Sequence, residues 1–511
     1  MRTLQSYALG RWITGTGERA TLYNPTTEEP LAELASGGFE TRAVLEHARQ
    51  QGVPALAKLS FAERGEKLKA LSAAIHEQRD ELIQLAVENG GNTRGDAKFD
   101  IDGAIGTLAA YAEWAKALPA RPFLADGDGV QLARTPRFWG QHVYFPRRGV
   151  ALHINAFNFP AWGMMEKIAC ALCAGVPVIE KPGTPTALVA WRIAQIVVER
   201  GLLPEGSYQF IAGNVGDMLD HMDAQDVLAF TGSSKTAQRL RANANLVRHS
   251  VRVNVEADSL NAAVLAPDVE SGSPTYGLFL ANVVLDMTQK AGQKCTAVRR
   301  ILVPSARAAE VRADLVQELA RIKLGDPADG ATRLGPLASR AQRDDVRRGI
   351  ERLAGAADIA TGGVQAPQAR GWFVAATLLA ARDANAPVFH DEEVFGPVAT
   401  VLPYSGDASE AARLVARGGG GLVCSVYAND AAWTERFVME AAPWHGRIWI
   451  ASDKVADQSL PPGMVLPALV HGGPGRAGGG EELGGLRGVH FYMQRTALQG
   501  FKGHLESAFG A

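Results

Sequence analysis

Three residues in this chain have the types and settings that acyl chemistry through a thiol requires. Cys295 lies in Lys290-Ala-Gly-Gln-Lys-Cys-Thr-Ala297, between a helix-like run at 276–289 and a strand-like run at 301–303. A structural cysteine prefers apolar company, but this one follows Gly292-Gln293-Lys294 and precedes Arg299 and Arg300. Positive charge and oriented backbone N–H groups are expected to lower its pKa, and the thiolate is the reactive form. Glu256 ends the apolar run 251–255, and a carboxylate at a strand end can serve as a general base. Asn158 follows the strand-like run 150–154, and a side-chain amide can donate to a developing oxyanion. On spacing alone, an inert thiol is the simpler reading of Cys295. The glutamate and the asparagine supply the other two parts.

The remaining cysteines lack that setting. Cys170 and Cys173 form a Cys-x-x-Cys with no second pair, so zinc is not expected and buried small residues are the better reading. Cys424 lies in a strand-like run. No metal site is expected.

These side chains need elements to hold them, and the chain has room for about three domains in its 511 residues. Residues 61–116 carry apolar positions at helical spacing, over 61–88 and again over 101–114. From 149 the pattern alternates. Strand-like runs at 150–154, 176–180, 208–211, 227–230, 251–255 and 262–265 are separated by helix-like runs such as 186–200. A second alternating block spans about 276–450, with helices near 306–321 and 338–353. That rhythm argues α/β architecture with parallel, doubly wound sheets. The net charge of −2 gives no global attraction to nucleic acid. Neither a signal-peptide core nor an apolar run of membrane-spanning length is present, so a cytoplasmic enzyme without a membrane partner is expected.

Phe157-Asn-Phe-Pro160, Lys181-Pro182, Phe230-Thr-Gly-Ser233, Glu256, Gly292-Gln-Lys-Cys295 and Glu393-Val-Phe-Gly-Pro397 occur in that order. In this order and spacing the chain resembles the aldehyde dehydrogenase superfamily over nearly its whole length. The resemblance implies two doubly wound domains, one binding cofactor and one catalytic, plus a β-like oligomerisation excursion. The boundaries it implies are 1–122 and 147–257 for the dinucleotide-binding domain and 258–470 for the catalytic domain. Oligomerisation segments are expected at 123–146 and 486–511, with a glycine-rich return segment at 471–485 and a homodimer as the assembly.

The resemblance also implies roles. Cys295 attacks an aldehyde, Asn158 and a backbone N–H hold the oxyanion, and Glu256 activates water to release the acid. Lys167 lies near the proton path from that base; a solvated helix lysine is the plainer reading. For the cofactor, Lys181 meets the adenosine ribose, Ser233 with Thr231 and Gly232 meets pyrophosphate, and Glu393 with Phe395 holds the nicotinamide end. Thr184 stands where family members preferring NAD often carry an acid. A carboxylate facing a 2′-phosphate at ~4 Å costs about 4 kcal/mol at an effective dielectric of ~20, so its absence favours NADP over NAD. Gly473-Pro-Gly-Arg-Ala-Gly478 matches a dinucleotide fingerprint by spacing, yet more glycine follows it instead of a helix, and a close backbone turn is expected there.

Two departures touch the base and the turn. Ala257-Asp258-Ser259 replaces the family's Leu-Gly-Gly, which puts the reach of Glu256 in question. Asp258 could be a second acid, although a helix cap is the plainer reading. Ala237 stands where a glycine usually closes the Gly232 turn. Trp162 and Met165 could line the aldehyde tunnel. Within the superfamily, 153–160, 256–261 and 470–485 resemble dehydrogenases of CoA-linked semialdehydes. The implied substrate is linear, 3,4-dehydroadipyl-CoA semialdehyde of aerobic benzoate degradation, with the oxepin-CoA-derived semialdehyde of phenylacetate degradation or a general aldehyde as alternatives. Two readings of other classes are a binding protein on the same fold and a thiol hydrolase pairing Cys295 with His153 or His471.

Overall fold

The computed structural model describes residues 1–509. Two seven-stranded sheets carry most of it. In the first, the strands Tyr208–Phe210, Val178–Lys181, Ala151–Ile154, Val227–Thr231 and Arg252–Glu256 lie side by side and parallel, in that spatial order. The antiparallel Ser6–Ala8 and Arg11–Ile13 extend the edge beyond Tyr208–Phe210. Numbered along the chain, the parallel strands run 3-2-1-4-5. The order therefore reverses between Ala151–Ile154 and Val227–Thr231, and ligands bind at the carboxyl ends of strands beside such a reversal.

The second sheet places Thr377–Ala381, Val398–Tyr404, Arg300–Pro304, Ala262–Leu265, Gly421–Tyr427 and His445–Ala451 in parallel, with Ala357–Thr361 antiparallel at one edge. Both sheets read as near-continuous apolar runs because helices cover their faces. Each sheet has its own buried core.

The 61–88 run, expected as one helix, is two. Phe61–Glu77 starts with a reciprocal cap between Ser60 and Glu63, and the backbone leaves helical geometry at Gln78 before Arg79–Gly90 resumes. A third helix, Arg94–Lys116, packs against Phe61–Glu77 and against Trp162–Ala174. The helix Trp162–Ala174 is buried at every residue but Gly163, so Glu166 and Lys167 are interior groups and the solvated reading of Lys167 does not hold.

The excursion pairs with the C-terminal segment. Leu124–Gln131, Phe138–Pro146 and Met493–Phe501 form a three-stranded antiparallel sheet, with Met493 opposite Pro146 and Phe501 opposite Phe138. Val489, Tyr492 and Met493 belong to the first core, whereas Phe138 and Phe501 are exposed. Gly510 and Ala511, the end of the expected oligomerisation segment, lie outside the described residues.

Candidate active site

Cys295 sits on the loop between the helix Pro274–Thr288 and the strand Arg300–Pro304. Three successive residues, Lys290, Ala291 and Gly292, have φ of 53°, 52° and 67°. This left-handed conformation costs non-glycine residues of order 1–3 kcal/mol each, and surrounding contacts must hold it. A Cβ on Gly292 would stand 2.1 Å from the Gly396 carbonyl oxygen, so only glycine fits. Asn261 Nδ2 donates to the Cys295 and Ala297 carbonyls at 2.7 and 2.9 Å, and Thr296 Oγ1 donates to the Gly463 carbonyl at 3.0 Å. The nucleophile is therefore fixed by its backbone.

The expected electrostatics of that loop are corrected by the structure. Lys294 Nζ donates to Asp286 at 2.6 Å and to Gln289 at 2.9 Å. Arg299 donates to the Gly396 and Gly292 carbonyls, and Arg300 to the Leu260, Leu414 and Val415 carbonyls. The three cations are spent on structure. Burial, and next the Glu256 carboxylate, push the Cys295 thiol well above its ordinary value. At rest it is a protonated thiol beside a base, not a free thiolate.

Glu256 is the last residue of its strand, and the segment after it is tied down. Ala257 N–H donates to the Ala477 carbonyl at 2.9 Å. Asp258 Oδ1 accepts from Ser234 N–H at 2.9 Å, at the start of the helix Ser234–Arg241, whose N-cap is Ser233 and not Asp258. Ser259 N–H donates to Glu393 at 3.2 Å and its hydroxyl donates to Asn261 at 2.6 Å. The glycine-rich segment packs backbone to backbone here, for a Cβ on Gly478 or Gly480 would stand 2.4 Å from the Val255 carbonyl oxygen. That close turn is what the fingerprint-like spacing encodes.

Glu256 Oε2 lies 3.0 Å from His471 Nε2, and the same Nε2 lies 3.7 Å from Cys295 Sγ. His471 belongs to the strand Val470–Gly472, which pairs with Glu481–Leu483 so that His471 faces Glu482. Lys167 Nζ lies 3.2 Å from Glu482 and 3.4 Å from Glu166. Burial opposes charge on all of these groups, and their pairing decides the outcome. Glu256 is drawn below the ordinary carboxylate range by His471 and Lys167 despite burial, and His471 is raised by Glu256, Glu166 and Glu482 despite burial. Glu166 is pushed well up by burial and by the carboxylates Glu482 and Glu256, with Lys167 opposing.

A narrow pocket of about 40 Å³ reaches this cluster, with Asn158, Phe99, Phe159, Trp162 and Val465 among its walls. Met165, expected beside Trp162, is instead fully buried in the core. A second cavity of about 700 Å³ opens on the other side of Cys295 and Glu256, at the strand-order reversal. Lys181, Thr231, Gly232, Ser233, Glu393 and Phe395 line it, as does Asn158. Burial alone pushes the Lys181 ammonium down to about 8, and no carboxylate among the described residues pairs with it. The buried Thr231 hydroxyl has no hydrogen-bond partner. An unpaired cation and an orphaned hydroxyl in one cavity fit a bound anion. Burial raises Glu393 to about 7, with Arg299 4.0 Å away. Thr184 lines an adjoining hollow that shares Pro185 with this cavity.

A profile of the aldehyde dehydrogenase family matches residues 12–498. The chain belongs to the aldehyde dehydrogenase family. It is 45% identical over 479 residues to the 3,4-dehydroadipyl-CoA semialdehyde dehydrogenase of Aromatoleum evansii, covering 92% of this chain and 93% of that one. It is 30% identical to the geranial dehydrogenase of Castellaniella defragrans, covering 82% and 85%. The fold matches betaine aldehyde dehydrogenase of Staphylococcus aureus in complex with NAD⁺, with a TM-score of 0.83, 24% identity, and coverage of 98% of this chain and 96% of that one. This aldehyde dehydrogenase is an NAD(P)-dependent oxidoreductase.

Of the two histidines considered for Cys295, the dehydrogenase uses His153 elsewhere. Its Nδ1 lies 2.6 Å from the buried Glu180, and the Tyr492 hydroxyl lies 3.1 Å from its Nε2. Glu166, Glu482 and the walls Phe99 and Val465 were not singled out in the sequence. No helix of the dehydrogenase, among the described residues, is long and apolar enough to cross a membrane.

Proposed function

We propose that this enzyme oxidises a linear CoA-linked semialdehyde, 3,4-dehydroadipyl-CoA semialdehyde, to the carboxylic acid with NADP as cofactor, as a cytoplasmic homodimer in aerobic benzoate degradation. The observation that carries the substrate is the 45% identity across nearly the whole of the Aromatoleum evansii protein of that name. The narrow apolar pocket supports it, because such a passage admits an unbranched chain and rejects bulk. The test is kcat/KM for this semialdehyde, its oxepin-CoA-derived counterpart and a branched aldehyde such as geranial. A preference of at least about a hundredfold for the linear CoA thioester over geranial is expected. Equal rates would leave a general aldehyde dehydrogenase.

The residues act in sequence. Cys295 loses its proton and attacks the carbonyl carbon, and the Asn158 amide donates to the oxyanion; one such donor is worth about 3–4 kcal/mol. Lys181, Ser233, Glu393 and Phe395 would hold the dinucleotide, and bound nicotinamide supplies the electron acceptor. Glu256 then takes a proton from water as it attacks the Cys295 thioester. Lys167 and Glu482 lie next along the buried chain, a route by which that proton leaves.

Thr184→Glu is expected to shift preference from NADP toward NAD by at least about tenfold, since ~1.4 kcal/mol suffices for that factor. The check is kcat/KM for both cofactors at matched ionic strength, because salt screens the repulsion. A wild type preferring NAD would refute the NADP reading outright.

For the dimer, deleting 499–511 removes the end of the pairing with Phe138–Pro146 and the helix Lys502–Phe509, none of whose residues is buried. Deleting 489–498 as well also takes Val489, Tyr492 and Met493 from the core, at ~3 kcal/mol or more per large side chain. The shorter deletion is expected to stay dimeric by light scattering and the longer one to lose both dimer and stability. A fully active monomer lacking both stretches contradicts the assignment.

A further inference from the structure

We propose that His471 is a catalytic partner of the Cys295–Glu256 pair, supplying the cation that stabilises the Cys295 thiolate while Glu256 takes the thiol proton. This rests on the reading of Cys295 as the nucleophile. None of the cations close in sequence to the thiol hydrogen-bonds to it: Lys294 donates to Asp286 and Gln289, Arg299 and Arg300 donate to carbonyls, and Lys290 lies over the Phe159 ring. Among the described residues, His471 is the basic group whose nitrogen meets the Cys295 sulfur. One ring nitrogen, Nε2, faces both the Glu256 carboxylate at 3.0 Å and the Cys295 sulfur at 3.7 Å.

A single N–H in that position can donate to either neighbour. With the thiol protonated it donates to Glu256. When the Sγ–H bond breaks and an O–H bond forms on Glu256, the imidazolium N–H turns its hydrogen bond to the sulfur. No charge enters or leaves the three groups, so the step suits a buried site, where a net change of charge is costly. The groups facing His471 hold it in the charged form. They are Glu256 at its strand end, Glu166 on the helix Trp162–Ala174, and Glu482 across the two-stranded ribbon, with Lys167 as the opposing cation. The ribbon fixes the imidazole by register, since His471 pairs with Glu482 in the backbone.

Because the proton is exchanged inside the trio, thiolate content is independent of pH wherever the trio as a whole keeps its protons. The test is alkylation of Cys295 by iodoacetamide, followed by mass spectrometry from about pH 6 to about pH 9. The reagent is neutral, so its rate reports thiolate and not attraction to charge, and neither aldehyde nor cofactor is needed. Wild type is expected to give a level rate through the neutral range. His471→Gln is expected to keep a level region, since Cys295 and Glu256 still exchange the proton, but at a height at least about tenfold below wild type, because the cation that favours the thiolate is gone. Cofactor binding by the variant, read by fluorescence titration, should stay within about twofold. A reactive Cys295 with the same profile in both proteins overturns the role of His471 and leaves the nucleophile reading standing. An unreactive Cys295 in wild type overturns both. If His471→Gln does not fold, the wild-type profile decides, for a steady tenfold fall per unit toward acid shows that no internal exchange occurs.

Discussion

Cys295→Ala is expected to abolish aldehyde oxidation, by at least about 10⁴-fold in kcat, with the fold and cofactor binding retained. The size of the effect follows from what the sulfur does: without it there is no covalent intermediate and no thioester for water to open. The structure gives reason to expect a folded variant. The loop is held by its backbone, through Asn261 on the Cys295 and Ala297 carbonyls and Arg299 on Gly292, and none of those bonds uses the thiol. Alanine also relieves a buried thiol that Glu256 and burial already oppose in its ionised form. The measurement is steady-state turnover of a variant purified free of wild-type enzyme, beside cofactor binding by fluorescence. More than a trace of turnover, above what contamination supplies, sinks the assignment of Cys295.

The sequence revealed those parts of the site that sit at breaks in a pattern. Asn158, Lys181, Ser233 and Glu256 each lie at or just after the end of an apolar strand, and parallel strands deliver such residues to one crevice. What stayed hidden depends on register over long distances. Lys294 and Arg299 neighbour Cys295 along the chain, but their side chains reach Asp286 and two carbonyls that only the folded structure brings near. His471 opens a glycine-rich segment with no apolar period. Its place between Cys295 and Glu256 follows from the pairing of Val470–Gly472 with Glu481–Leu483, which a two-stranded ribbon this short does not announce. The helix Trp162–Ala174 shows a subtler limit. Trp162 and Glu166 are one turn apart and line the pocket together, while Met165, one position short of that turn, faces the core. A helix apolar but for Glu166 and Lys167 carries no periodic signal to tell those faces apart, and its two charged residues, read without that context, looked like surface groups.

Glu256→Gln is expected to give a burst of reduced cofactor close to one per active site and then stall, with steady-state turnover lower by about 10²–10⁴-fold. Glutamine keeps the shape and can still accept from His471, so Ala257, Asp258 and Ser259 stay tied as they are. What it loses is the capacity to take a proton from water, which stops hydrolysis of the thioester. The burst survives for a reason the geometry supplies. Glu256 is the foremost of the groups that raise His471. Without its charge the imidazole holds its proton less firmly, and a free Nε2 at 3.7 Å from Sγ can take the thiol proton itself. Acylation then proceeds where deacylation cannot. Intact-mass spectrometry of the stalled variant should show the enzyme heavier by one acyl group, on the peptide that carries Cys295. The double variant with His471→Gln removes both acceptors, and its burst should slow by at least about tenfold relative to Glu256→Gln alone. A single variant with neither burst nor acyl-enzyme places Glu256 before the thioester. A double variant whose burst is as fast as the single one removes His471 from the step.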